Sequence, residues 1–247
     1  MAADNCKLMK LCDLTLPTPE ENLAADEALL DLCEAGGCGE VLRFWSPRHY
    51  FVVLGYGNKA ATEANLPFCR EQGIPVLRRC TGGGTVLQGP GVLNYALILR
   101  IAGNQPCQSI AATNQFILER HRDALAPVLA APIAWRGQTD LAIDELKFAG
   151  NAQRRRRRFL LFHGSFLLRL DLALVEKTLP PPSLQPDYRL NRVHGDFLLN
   201  LNVSEDAVKT ALAKAWKAAT PLTAIPRDHI HRLVAEKYSL REWNFRV

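Results

Sequence analysis

The sequence predicts an α+β domain in which a mixed β-sheet is flanked by helices. Three observations predict it. Apolar residues make up 48% of the 247 positions and charged ones 22%, a composition that buries a core and does not describe a disordered chain. Short runs rich in β-branched and aromatic residues come in pairs and clusters, not in regular alternation with helices. Helix-start signals are few, and each is a Ser, Thr or Asp ahead of a helix-forming stretch. Together they favour a sheet with helices packed on one side over a doubly wound parallel sheet.

Taken in order, Thr18-Pro19-Glu20-Glu21 reads as a capping box with proline at the first helical position. A helix follows through Glu34 and stops at Gly36-Gly37. Strands are expected over residues 41–45, 51–56, 74–79 and 92–101. Ser109 caps a helix to about Leu125. Short strands return at 140–143, 147–149, 159–162 and 165–170, the last two as an apolar hairpin around His163-Gly164. Asp171 caps a short helix that Pro180-Pro181-Pro182 ends, and residues 180–193 form the longest loop. Ser204 opens a helix to about Ala218, and Asp228 opens another. No internal repeat is visible. Residues 1–247 therefore read as one domain, with a core over 15–201 and a small helical end-piece over 202–247.

The seven cysteines are odd in number, contain no C-x-x-C and all lie at or before Cys107, so they read as reduced thiols. No Cys/His pair has zinc-finger spacing and the six histidines are scattered, so no metal site is expected. The longest apolar stretch, 159–168, is broken by His163 and Gly164 and is far shorter than the ~20 residues of a membrane span. The first fourteen residues hold no apolar run of signal-peptide length. A cytoplasmic, membrane-free, monomeric protein is the expectation. Five arginines at 154–158 carry the net charge of +5, leaving the rest of the chain near neutral. Such a run is either a solvated loop or a contact for an acidic protein or polyphosphate. Nucleic acid would call for interleaved aromatics and several dispersed basic patches, so it is not expected.

Three elements carry candidate chemistry. Arg78-Arg79-Cys80-Thr81-Gly82-Gly83-Gly84-Thr85-Val86 follows an expected strand directly. Consecutive glycines let backbone approach a ligand closely, their amides can cradle an anion, and arginines add forked donors. A glycine-rich hairpin with surface arginines is the plainer alternative. The pattern is neither a Walker loop nor a dinucleotide fingerprint. The second element is Gly137-Gln138-Thr139-Asp140-Leu141 with Lys147-Phe148-Ala149-Gly150-Asn151-Ala152. Lys147 is either a cation that polarises a carbonyl and neutralises a phosphate or a lysine at a strand edge. The third is Phe162-His163-Gly164-Ser165, whose histidine is either a satisfied core residue or a proton carrier.

In this order and at these separations the three elements resemble the lipoate–protein ligase family, within the biotin/lipoate ligase superfamily. That family carries R-R-x-S/T-G-G-G-x-V, G-R-N-D-L, K-x-S-G-S/N-A and H-H-G-T/S-L-L blocks, matched here at 78–86, 136–141, 147–152 and 163–168. Flanking matches include Glu21-Asn22-Leu23-Ala24-Ala25-Asp26-Glu27, Leu54-Gly55-Tyr56-Gly57 and Lys237-Tyr238-Ser239-Leu240-Arg241-Glu242-Trp243-Asn244, so the resemblance covers roughly 15–245. It implies a biotin/lipoate–protein ligase-like catalytic domain with acyl-adenylate lying across the sheet. Arg78, Arg79, Thr81, Gly82, Gly83, Gly84 and Thr85 would line the acyl and phosphate region, with Asn94, Gly150, Asn151 and His163 as further binding residues. Asp140 and Lys147 would face the adenylate, Lys147 as the catalytic cation. The implied substrates are lipoate and ATP with Mg²⁺, and the implied partner is a lipoyl-domain acceptor protein. The chain ends before the extra C-terminal domain of the long ligases, which in some relatives is a separate accessory protein.

The blocks also depart from the family. Val86-Leu87-Gln88-Gly89 stands where many relatives have V-F-H-D and leans toward the octanoyltransferase H-G-P-G. Gly137-Gln138-Thr139-Asp140 replaces G-R-N-D, and Phe162 replaces the first histidine of H-H-G. An octanoyl- or lipoyl-transferase is the alternative enzyme, and a catalytically silent acyl-cofactor binder the alternative outside enzymes. A thioester mechanism needs an activated thiol, yet positions 108–247 hold no cysteine and Cys80 is the only one within a motif. The arginine run, directly after the lysine block, is expected at a turn on the rim of the site, where it would steer an acidic acceptor.

Overall fold

In the computed structural model, which describes residues 9–103 and 105–246, strand β1 (Lys10–Asp13) precedes a helix that starts where the capping box places it. Thr18 Oγ1 accepts from the Glu21 amide at 3.2 Å, and Glu21 Oε2 accepts from the Thr18 amide at 2.9 Å. That helix is α1 (Pro19–Glu34). The chain continues through β2 (Val41–Trp45), β3 (Phe51–Leu54), α2 (Ala60–Glu63), α3 (Leu66–Glu71), β4 (Val76–Arg78), β5 (Val86–Gln88) and β6 (Val92–Arg100). Ser109 caps α4 (Ile110–Leu129), which runs one turn past expectation and ends at Ala130 in the left-handed region, φ +49°. Four strands follow, β7 (Ala134–Arg136), β8 (Asp140–Ile143), β9 (Leu146–Arg155) and β10 (Phe159–Leu167). The chain closes with α5 (Leu172–Thr178), α6 (His194–Phe197), α7 (Glu205–Ala215), β11 (Thr220–Pro221), α8 (Arg227–Leu233) and α9 (Arg241–Asn244).

Eight strands form one mixed sheet in the order β11-β1-β2-β6-β10-β9-β8-β7, and β4-β3-β5 form a second. In the large sheet β1 runs parallel to β2 and β11, and the remaining pairs are antiparallel. The expectation of helices on one side needs correction. Val41, Ala96, Ile98, Phe159 and Leu161 pack with Leu29, Leu30 and Cys33 of α1. Their strand neighbours Leu42, Leu97, Leu99, Leu160 and Phe162 pack with Ile117, Leu118 and Leu125 of α4 and Val208 and Leu212 of α7. The centre of the sheet is thus covered on both faces, which is why β2, β6 and β10 are mostly apolar on both sides, interrupted inside at Arg43, Asn94, His163 and Ser165.

The expected hairpin around His163-Gly164 and the expected end of a strand at Ala149 are also corrected. Both segments run straight through as strands, β10 paired with β9 so that Gly164 opposes Asn151 and Ser165 opposes Gly150. The glycines serve close packing. A Cβ on Gly164 would lie 1.8 Å from Asn151 Oδ1, so only glycine leaves room for that amide. The chain reverses instead at Arg156–Arg158, about 30 Å from Lys147 at ~3.3 Å per strand residue. The arginine run is therefore not on the rim near Lys147. Arg154 reaches Glu27 at 3.1 Å, Arg155 the Cys107 carbonyl at 2.6 Å, and Arg156 Asp31 at 2.9 Å. No helix among the described residues is long and apolar enough to cross a membrane. Residues 1–8, part of the stretch judged free of a signal-peptide run, lie outside the described residues.

Candidate active site

Directly opposed residues of antiparallel strands share a face, so the register of β2, β6, β10, β9 and β8 lays out the floor of the site. One row reads Trp45, Asn94, Ser165, Gly150 and Asp140. The next reads Arg43, Ala96, His163 and Ala152. Ala96 belongs to the core cluster under α1, so both rows lie on the α1 face of the sheet. Small residues at 96, 150, 152 and 165 keep this part of the face low. The loop between β4 and β5 closes over it. A Cβ on Gly83, whose φ is +86°, would lie 3.5 Å from Ala152 Cβ and 2.9 Å from Arg79 Nη2. Gly83 is thus fixed as glycine both by backbone conformation and by close approach.

Lys147 lies across Gly150. A Cβ at Gly150 would come within 2.8 Å of the lysine Nζ. Nζ meets Asp140 Oδ1 at 2.8 Å, and Asp140 Oδ2 accepts the Tyr188 hydroxyl at 2.9 Å. Tyr188 comes from the long loop, whose Pro186 packs against Gly137, and Arg192 lashes the loop to the Glu145 carbonyl at 3.0 Å. Burial and the Asp140 carboxylate push the Tyr188 phenol well up, so it donates. The lysine side chain keeps a quarter of its surface exposed, enough to meet a ligand.

His163 links the glycine loop to α1. Its Nε2 is 2.7 Å from Thr81 Oγ1 and its Nδ1 is 3.0 Å from Asp26 Oδ2. Asp26 is also paired with Arg43 at 2.5 Å, and Arg43 donates further to Asn22 and Leu14 oxygens. Burial pushes the Asp26 carboxyl up, but Arg43 and His163 outweigh it and hold the group below the usual carboxylate range. Beside it Glu27 is buried too, and Lys237, Tyr238 and Arg154 hold its carboxyl down against that burial.

The remaining expected site residues divide. Arg79 donates to the Gly82 carbonyl at 2.5 Å, the Gly84 carbonyl at 2.8 Å and Thr81 Oγ1 at 3.0 Å, shaping the loop from within. Burial brings its pKa down to about 10, which leaves it a cation. Arg78 is turned away from the floor. Its guanidinium donates to the carbonyls of Gly55, Tyr56, Asn58, Trp243, Asn244 and Arg246. Every donor is occupied, so the expectation that Arg78 meets a ligand is corrected: it clamps the C-terminal segment to the 55–58 turn. Asn151 accepts from the Tyr95 hydroxyl at 2.5 Å and donates to the Thr139 carbonyl at 2.6 Å, which locks β9 to its neighbours. Thr85 Oγ1 accepts from Asn58 at 3.0 Å at the outer end of the loop. Asn94, Gln88 and Ser165 close a buried triangle of side-chain hydrogen bonds at 2.6–2.9 Å beside Gly150.

The model of the lipoyl protein ligase A/B catalytic domain matches residues 18–217. The chain belongs to this family. Among its relatives are an octanoyltransferase LipM from Geobacillus kaustophilus, 28% identical over 92% of this chain and 94% of that protein, and lipoate-protein ligase A subunit 1 from Thermoplasma acidophilum, 28% identical over 94% and 95%. The crystal structure of a lipoate-protein ligase A bound with ATP superposes with a TM-score of 0.81 at 25% identity, covering 96% of this chain and 98% of the other. The α+β class, the mixed sheet and the enzyme family agree with the sequence reading.

For members of a family that holds both ligases and octanoyltransferases, the thiols matter. Cys80 is buried, and burial with the nearby Glu27 carboxylate pushes its pKa up to about 11. Burial likewise pushes Cys12, Cys33, Cys69 and Cys107 up. Among the described residues no group of three metal-ligating side chains converges. Asp26, Gln88, Ser165 and Tyr188 were missed as site residues. Asp26 carried a signal, since with Glu27 it interrupts the apolar stretch 23–30. Tyr188, in a polar loop, carried none.

Proposed function

We propose that the protein is an ATP-dependent lipoate–protein ligase, in which a carboxylate attacks the α-phosphorus of ATP, pyrophosphate leaves, and the acyl-adenylate formed is passed to an acceptor lysine. The observation that carries this reading is the joining of a cation and an amide-rich loop over one low floor, with no activated thiol among the described residues beside them. Lys147 and the Gly82–Gly84 loop suit an acyl phosphate: the lysine neutralises charge developing on phosphorus and carbonyl oxygen, and the loop lets backbone approach closely. In the second step the amine attacks the acyl carbonyl and AMP leaves with the anhydride electrons; no enzyme nucleophile is required. Lysine, glycine loop and Asp140 act by position and charge.

Magnesium would arrive on the triphosphate, because a small hard cation keeps most of its waters and phosphate oxygens as ligands. Asp140 is the carboxylate nearest the lysine, and the ion pair between them leaves it suited to orienting Lys147 more than to caging a metal. The acceptor is a lipoyl domain, and the relative named as subunit 1 motivates a second subunit as a partner. Residue-level assignments within this reading are Lys147 for the α-phosphate, Asp140 and Gly150 for holding that lysine, and Thr81 to Gly84 for the acid.

The second reading, octanoyl transfer from a carrier thioester, is favoured by the LipM relative. It needs a thiolate at the acyl carbonyl, and the absence of cysteine after position 107 weighs against it. Acid-dependent exchange of label between pyrophosphate and ATP, run with lipoate, octanoate and biotin and with the acceptor withheld, tests the ligase step. Exchange with lipoate or octanoate is expected; transfer from octanoyl thioester with no exchange would establish the second reading.

A further inference from the structure

The hydrogen bonds around His163 fix which atom carries which proton. Asp26 is held below the usual carboxylate range, so it is ionised and only accepts. His163 Nδ1, 3.0 Å from Asp26 Oδ2, therefore carries a proton. That leaves Nε2, 2.7 Å from Thr81 Oγ1, with two states. In the neutral imidazole Nε2 is a lone pair and takes the only hydroxyl proton Thr81 has. In the imidazolium Nε2 donates, and the threonine oxygen accepts both from it and from Arg79 Nε at 3.0 Å. Its own proton is then released toward whatever lies under the glycine loop.

We propose that His163 is a positioning residue whose protonation frees the Thr81 hydroxyl to donate to the carboxylate of a bound acid, so that acid binding takes up a proton. This rests on the ligase reading, in which the acid enters at the glycine loop. With a neutral imidazole, an incoming carboxylate meets an oxygen that has no proton to give. With the imidazolium the same oxygen becomes a directed donor beside Gly82–Gly84. Affinity for the acid then falls as pH rises, although the acid itself is ionised throughout.

The charged and titratable groups around this imidazole come from every packed element. They are Asp26 and Glu27 on α1, Arg43 on β2, Arg79 in the loop, Arg154 on β9, and Lys237 and Tyr238 beyond Glu27. Both α1 carboxyls are held down, while burial pushes Cys80 and Tyr238 up. Arginine stays charged at any working pH.

The test is calorimetric binding of lipoate and octanoate to the whole protein, with and without a non-hydrolysable ATP analogue. Titrations run from about pH 6 to 8.5, in pairs of buffers that differ in ionisation heat. The wild type is expected to take up close to one proton at the alkaline end, with Kd weakening by up to about tenfold per pH unit there. His163→Gln keeps a permanent amide donor toward Thr81, and Thr81→Val removes the hydroxyl while retaining Lys147. Each is expected to bind without proton uptake and with a flat pH profile. A flat wild-type profile, or an unchanged slope in folded Thr81→Val, overturns this inference alone. Failure to bind either acid at any pH overturns the ligase reading beneath it.

Discussion

Lys147 Nζ lies 2.8 Å from Asp140 Oδ1, held there by a carboxylate whose second oxygen is already taken by Tyr188. The pair spans β8 and β9 across Gly150, so the position of the lysine is set by two strands and a loop. A lysine free to rotate would lose several bonds of conformational freedom on meeting a phosphate; this one has already lost them.

Replacing Lys147 with Ala removes the cation and is expected to lower acyl-adenylate formation at least 100-fold, the scale of losing one strong electrostatic contact to a transition state. The side chain, a quarter exposed, contributes little packing, so thermal unfolding should move by no more than about 2 °C. Single-turnover formation of acyl-AMP, with a melting curve on the same sample, checks both parts.

Tyr188→Phe keeps the ring on Phe197, whose centroid is 5.1 Å away, and removes only the hydroxyl. Without that donor the Asp140 carboxylate can rotate and hold Lys147 with both oxygens. The expected result is a fall of about tenfold in kcat, the worth of one hydrogen bond to a charged group, with KM for the acceptor unchanged. Steady-state kinetics separates the two constants.

Gly164→Ala places a methyl 1.8 Å from Asn151 Oδ1 and 2.8 Å from the Gly150 carbonyl. Neither can move without disturbing β9, because Asn151 is bonded to Tyr95 and Thr139. A loss of about 1–3 kcal/mol is expected from such overpacking, measured by urea unfolding.

Asp26 and Glu27 give the fold an acid-sensitive seam between α1, β2 and the C-terminal segment. Their carboxyls are held below their ordinary values when folded. The stability they contribute is therefore complete at neutral pH, starts to fall as pH drops through the ordinary carboxylate range near pH 4, and is gone below the folded values. Asp26→Asn should lower stability at pH 7 by leaving Arg43 buried without its partner, by about 3–5 kcal/mol. The variant should also show a shallower loss on acidification. Urea midpoints from pH 7 to pH 3 read both.

A variant with all seven cysteines changed to Ser or Ala is expected, if folded, to retain acyl transfer within about threefold. A thioester trapped on Cys80 and loss of activity in Cys80→Ser would assign the chemistry to that thiol instead.

Much of this molecule is legible locally, and what is not depends on residues distant in sequence. The capping box and N-caps, the apolar strands and the ordered motif blocks each speak within a dozen residues, and the elements they announce are present. Gly150 and Gly164 speak ambiguously, because a glycine between apolar runs marks a turn or a close approach alike; cross-strand packing of Asn151 decided for the second. Arg78 and Arg79 are adjacent and identical in type. Only the return of the C-terminal segment, more than 160 positions on, separates a structural clamp from a loop-shaping cation. The arginine run reads locally as a solvated loop or a contact for an acidic partner, because the α1 carboxylates that pair Arg154 and Arg156 lie more than 120 positions earlier. Tyr188 reaches Asp140 across 48 positions from a loop with no periodicity to betray it.

The central claim is that the acyl group travels as an adenylate. Chemically prepared lipoyl-AMP, mixed with the purified protein and a lipoyl domain without ATP, isolates the transfer step from any need for a second subunit in activation. The account predicts rapid acylation of one acceptor lysine by intact-protein mass spectrometry, abolished in Lys147→Ala and retained in the cysteine-free variant. Rapid acylation from an octanoyl carrier thioester, with none from lipoyl-AMP, would contradict it.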